Sequence, residues 1–92
     1  LFMGDEIGQR QEWRHDQSID WHLLQHGPHK GVQAVVRDLN ALYKSEPALH
    51  ELDNQPGGFE WIDCTDAANS VIVCMRKGRG EDVIVVAYNF TP

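Results

Sequence analysis

Val71-Ile72-Val73-Cys74-Met75 and Val83-Ile84-Val85-Val86-Ala87-Tyr88 are the two stretches that decide how this 92-residue chain folds. Both are near-continuous runs of β-branched and apolar residues, which favour the pleated backbone of a strand. Upstream, Phe59-Glu60-Trp61-Ile62 alternates in part and predicts a third strand. Residues 63–70 and 77–82 carry the Asp, Asn, Ser and Gly that form turns, so the three runs are expected to make an antiparallel meander. With the first turn centred on residues 66–69, Cys74 should lie near Trp61, and Cys64 near Val71 on the other face. That register argues against a disulfide between the two cysteines. Runs apolar on both sides predict burial on both faces of the sheet.

Working back from the strands, Pro56-Gly57-Gly58 divides the chain. Before it, Val32, Val35, Val36, Leu39, Leu42 and Tyr43 recur at helical spacing. They predict an amphipathic helix over residues 31–45, entered at Gly31 and ended by Glu46-Pro47. Its apolar stripe must dock on something. A short turn is expected at residues 48–52. Residues 9–30 read as a long polar loop with one helical turn near residues 19–24, capped by Asp16 or Ser18. A loop of that length is expected to be functional or to pack on a neighbour.

The chain opens with Leu1-Phe2-Met3, an apolar strand end that breaks into the acidic, glycine-flanked Gly4-Asp5-Glu6-Ile7-Gly8-Gln9. A buried strand needs hydrogen-bonding partners on both sides, so the chain reads as a piece of something larger.

The net charge of −6, with no Lys/Arg stripe, disfavours nucleic acid as a partner. No apolar run approaches the roughly 20 residues of a bilayer-spanning helix, so no membrane partner is expected. Two cysteines without a secretion signal point to a reducing compartment, the cytoplasm. No P-loop, GxGxxG or Ser/His/Asp signature is present, and no cofactor is expected. Gly78-Arg79-Gly80 is read as a turn between strands. His22, His26 and His29 have a spacing that could gather ligands on one helical face, but Gly27-Pro28 interrupts the run and no metal site is assigned.

Asp5, Glu6, Glu12, Asp16 and Asp20 lie close to Trp13, His15, Trp21 and His22. Carboxylates interleaved with tryptophan suit carbohydrate, because acids accept hydroxyl hydrogen bonds and an indole face packs on the C–H face of a sugar. The plainer reading is that the acids cap turns and the tryptophans anchor the loop. Asp5 and Glu6 are poor candidates for a paired glycosidase dyad, since neighbouring side chains diverge in extended structure.

The segment Leu1-Phe2-Met3-Gly4-Asp5-Glu6-Ile7-Gly8-Gln9 resembles the end of the eighth barrel strand in the α-amylase superfamily. Its continuation, Glu12-Trp13-Arg14-His15-Asp16-Gln17-Ser18-Ile19-Asp20-Trp21, is similar to bacterial 1,4-α-glucan (glycogen) branching enzymes. The likeness extends through residues 32–43, Ala48-Leu49-His50-Glu51-Leu52-Asp53, Gly58-Phe59-Glu60-Trp61 and Asn89-Phe90-Thr91-Pro92, so it spans essentially the whole chain. Arg14 and Ile19 stand where the family often has Asn and Leu.

The resemblance implies an α+β fragment. Residues 1–55 would be the last strand, loop and helix of a (β/α)8 catalytic barrel, and residues 56–92 the first antiparallel strands of a C-terminal all-β sandwich domain. It also implies an activity that cuts an α-1,4-glucan bond, holds the glucan as a covalent glycosyl-enzyme and transfers it to a 6-hydroxyl as an α-1,6 branch. The family's nucleophile, acid/base and stabilising aspartate sit on earlier strands, so no catalytic residue is assigned here. Asp5, Glu6, Trp13, His15, Asp16 and Trp21 are the expected glucan-contacting residues. The implied partners are an α-glucan, such as glycogen or amylose-like chains, and the remainder of the barrel. Two other readings stay open: another hydrolase of the superfamily, or a non-catalytic glucan-binding module.

Overall fold

A computed structural model describes residues 2–92 and divides the chain into two compact units, Leu1–Ala41 and Leu42–Pro92.

In the second unit, β1 (Phe59–Asp63), β2 (Val71–Lys77) and β3 (Val83–Asn89) form one antiparallel sheet in the order β1-β2-β3. The meander read from the sequence is present, and Trp61 stands opposite Cys74 as its register requires. A bulge between Trp61 and Asp63 ends β1, and there Asp63 accepts hydrogen bonds from the Thr65 backbone N–H (2.9 Å) and hydroxyl (3.0 Å). Gly78-Arg79-Gly80 joins β2 to β3, closed by the Gly78 N–H donating to the Asp82 carbonyl at 2.9 Å.

Directly paired residues share a sheet face, so Phe59, Trp61, Cys74, Arg76, Ile84 and Val86 lie together. Residues 46–58 form a strap across this face. Ala48 in the Pro47–Leu49 turn is buried there, as is Cys74 beneath it. Arg76 donates to the Leu49 carbonyl at 3.0 Å and pairs with Asp53, whose other oxygen accepts the Tyr43 hydroxyl at 2.9 Å. Glu51 accepts the Arg79 backbone N–H at 2.9 Å. Gly58 lies so close to Leu52 that a Cβ would overlap the Leu52 carbonyl and side chain, which is why the Pro-Gly-Gly break ends in glycine. The opposite face is open, with Val83 and Val85 about half exposed. Burial on both faces, expected from the sequence, is therefore not met within these residues: the strap covers one side only.

The helix α1 spans Gly27–Ser45, starting a full turn before the expected entry at Gly31. Gly27-Pro28 does not interrupt it but opens it. Proline suits the first helical turn, where its missing N–H would have had no partner. His26, extended at φ −101° and ψ 137°, precedes the helix, and its carbonyl accepts the Lys30 N–H at 3.1 Å. At the other end Glu46 is extended before Pro47, as expected. No residue of α1 is buried, and Val35 and Leu39 on its apolar stripe are 58% and 59% exposed. The stripe is present, but its middle, at Val35 and Leu39, is left uncovered among the described residues.

Phe2 and Met3 are not a strand, and Leu1 lies outside the described residues. The backbone instead closes on itself: the Asp5 N–H donates to the Phe2 carbonyl at 2.9 Å, and a 3₁₀ turn follows at Asp5–Ile7. A parallel strand needs flanking strands, and none of the described residues before Phe59 is in one. The expected turn near residues 19–24 is a 3₁₀ turn at Trp21–Gln25. Neither Asp16 nor Ser18 caps it. Asp16 is drawn to Arg14, and the Ser18 hydroxyl donates to the Ile19 carbonyl. No helix among the described residues is long and apolar enough to cross a membrane.

Candidate functional site

The first unit is built around the Asp5–Ile7 turn, which runs between two glycines with left-handed backbone, Gly4 at φ 98° and Gly8 at φ 65°. Side chains other than glycine resist those angles. At Gly4 a Cβ would also press on the Gln9 side chain at 2.9 Å. Ile7 is fully buried and pins the turn to the unit.

Asp5 and Glu6 do not diverge as they would in an extended strand. Both carboxylates fold back on the turn: Asp5 Oδ2 accepts the Phe2 N–H at 2.8 Å, and Glu6 Oε2 accepts the Gly4 N–H at 3.0 Å. Each commits one oxygen to the backbone, and among the described residues no protein donor reaches the other. Glu6 lies on an open groove with Phe2, Met3, Val36 and Asn40, an apolar floor with two polar groups at its margin. Trp13 joins this group through Phe2, the rings meeting edge to face at 5.4 Å.

The other candidates stand apart. Arg14 holds Asp16 with two contacts, at 2.9 and 3.2 Å, both side chains about half exposed. The Arg14 cation thus occupies the carboxylate beside it. His15 is exposed and has no hydrogen-bond partner among the described residues. Trp21 opens the second 3₁₀ turn with its side chain exposed.

Gln9, which nothing in its residue type singled out, ties the loop together. Its Oε1 accepts the Asp20 N–H at 2.9 Å, its Nε2 donates to the Gln11 carbonyl at 3.0 Å, and its backbone N–H donates to the Gly4 carbonyl. The spacing of Gly4 and Gly8 was the one visible sign of a tight turn here.

The three histidines are not gathered as ligands. No group of three or more His, Cys, Asp or Glu among the described residues could hold a metal ion. His29 instead donates from Nδ1 to the Ile7 carbonyl at 2.8 Å. In the second unit, the Thr65 N–H and hydroxyl hold the Asp63 carboxyl below its ordinary 3.8. That is the chemistry of a turn cap, in which hydrogen bonds favour the charged form, and not of a proton donor.

A profile of the alpha amylase C-terminal all-beta domain matches residues 61–92, which contain most of the sheet. Along its whole length the chain is 57% identical to the 1,4-alpha-glucan branching enzyme GlgB of Paramagnetospirillum magneticum, covering 13% of that protein. It is 60% identical to the enzyme of that name from Nitrobacter hamburgensis, again covering 13%. With the Aquifex aeolicus enzyme the identity is 53%, over 15% of its length. The chain thus spans about one eighth of these relatives.

Proposed function

We propose, for a chain that belongs to the family of 1,4-alpha-glucan branching enzymes, that it serves as a non-catalytic part of such an enzyme. The intact protein would move an α-1,4-glucan segment to a 6-hydroxyl and so create an α-1,6 branch. In that reading residues 1–55 close the (β/α)8 barrel and residues 56–92 open the C-terminal β-domain. The rest of the barrel is then the partner of the α1 stripe, and the cytoplasm is the place of action.

The single observation that carries the reading is identity of 53–60% sustained across the whole chain with enzymes of one name. Such agreement covers loop, helix and sheet together, which a shared β-domain alone would not require.

Within this frame the groove beside Glu6 is the part of the chain suited to a sugar. Glu6 and Asp5 each have an oxygen that no donor reaches among the described residues and that can accept a hydroxyl, and Phe2 and Met3 offer apolar surface to C–H groups. Trp13 supports Phe2 from the side. Asp16, held by Arg14, and Trp21, which does not line the groove, have the weaker case.

The test is amylose branching by the longer enzyme carrying this segment. Asp5→Asn and Glu6→Gln should each raise KM for amylose roughly tenfold or more, the scale of one lost hydrogen bond to a charged group. Arg37→Ala, at an exposed pair on α1, should leave the kinetics unchanged. Wild-type kinetics in both carboxylate variants would remove the groove from the substrate path.

A further inference from the structure

We infer that His29 is the positioning residue for the turn that carries Asp5 and Glu6. The inference rests on the reading of that turn as glucan-facing.

Three backbone hydrogen bonds close the turn. The Ile7 N–H donates to the Gly4 carbonyl at 3.1 Å, Gly8 to Asp5 at 3.0 Å, and Gln9 to Gly4 at 3.0 Å. The Ile7 carbonyl accepts none of these bonds, and Ile7 is fully buried. A buried carbonyl without a donor is costly. His29 fills the vacancy from a residue 22 positions away.

Geometry also fixes the ring's protonation. A carbonyl only accepts, so Nδ1 carries the proton, whether the imidazole is neutral or charged. The contact therefore does not depend on a change of charge.

His29 is well placed to act as a fixed post. It stands in the first turn of α1, so near Gly8 that a Cβ added there would meet His29 Nδ1 at 3.5 Å and a Val32 methyl at 3.6 Å. The same helix supplies Val36 and Asn40 to the groove. One element thus provides one wall of the groove and, through His29, holds the turn that brings Glu6 to the other. His29 touches no candidate sugar position itself. It acts through the Ile7 carbonyl, and an Asn at this site could place its Nδ2 where the ring holds Nδ1.

The experiment uses the longer enzyme carrying this segment, with His29→Ala, His29→Asn and the exposed-loop control His22→Ala. Two readouts are taken: amide exchange at Gly8 and Gln9, and kcat and KM on amylose. His29→Ala should speed exchange at both amides about tenfold and raise KM about tenfold, with kcat changed less than about twofold. His29→Asn should bring both readouts back to within about twofold of wild type, and His22→Ala should match wild type.

Unchanged exchange in His29→Ala overturns the inference. So does His29→Asn as impaired as His29→Ala, because the ring would then act by packing and not by its N–H. If His29→Ala loosens Gly8 and Gln9 while Asp5→Asn and Glu6→Gln leave amylose kinetics untouched, the glucan-facing reading fails and the latch stands.

Discussion

Asp53→Ala is expected to detach the strap from the sheet, and the structure sets the size of the effect. Asp53 meets both Arg76 and Tyr43, one on β2 and one in the last turn of α1. Hydrogen bonds to charged groups contribute about 1.5–3 kcal/mol, and neutral ones about 0.5–1.5 kcal/mol. The Arg76 and Asp53 side chains are 23% and 38% exposed, so solvent screening brings their bond down to about 1 kcal/mol. Adding about 1 kcal/mol for the Tyr43 hydroxyl gives about 2 kcal/mol in all. The loss is aggravated because Arg76 Nε is already buried without a partner among the described residues.

For a chain of this size, about 2 kcal/mol lowers Tm by roughly 10 °C. Thermal and urea melts of the 92-residue chain measure it. The same substitution in an Arg76→Leu background should cost only the hydroxyl share, about 1 kcal/mol, because the ion pair is already gone. Two outcomes refute the reasoning: a loss below about 0.3 kcal/mol, or losses that simply add in the double variant.

Other perturbations probe separate parts of the account. Gly58→Ala forces a methyl into the Leu52 backbone and should cost about 1–3 kcal/mol in a urea melt, whereas Gly57→Ala, with open space around it, should cost little. The Asp63 carboxyl should titrate below 3.8 by NMR, and Thr65→Val should move the midpoint upward by removing the hydroxyl bond. Because the folded value is depressed, the stabilisation from Asp63 is present above 3.8 and fades as the pH falls through the lowered midpoint. Leu39→Ala should change the stability of this chain by less than about 0.5 kcal/mol, since the side chain is exposed. In the longer enzyme it should cost about 2–5 kcal/mol if the barrel covers the α1 stripe, as differential scanning calorimetry of the two proteins would show.

The sheet was legible because its signals are local. β-branched runs separated by turn residues predict three strands, and the turn position fixes Trp61 against Cys74. The helix was legible for the same reason, through the spacing of its apolar residues, although Pro28 was read as a breaker when its place in the first turn makes it a starter. Phe2 and Met3 mark the limit of that logic. Their apolar character suits a strand, but a strand depends on pairing partners that none of the described residues near them supplies, and the local Asp5 hydrogen bonds win.

The candidate site was legible as composition and not as geometry. Asp5 and Glu6 share one turn and Trp13 reaches it through Phe2, while Asp16 is taken by Arg14 and Trp21 does not line the groove. Gln9, His29 and Arg76 were missed because each acts across many residues of sequence, on a backbone atom or a partner that periodicity does not reveal. His29 is instructive: a histidine in a suggestive metal-like spacing turns out to hold a carbonyl.

The central claim is that these 92 residues are a working segment of a branching enzyme. It is tested most directly by replacing the matching segment of the Nitrobacter hamburgensis enzyme with this chain and measuring new α-1,6 linkages in amylose by NMR. The account predicts branching within a few-fold of the parent, since 60% of the segment is already identical. A chimera that folds, as judged by its circular dichroism and melt, yet forms no α-1,6 linkages would contradict it.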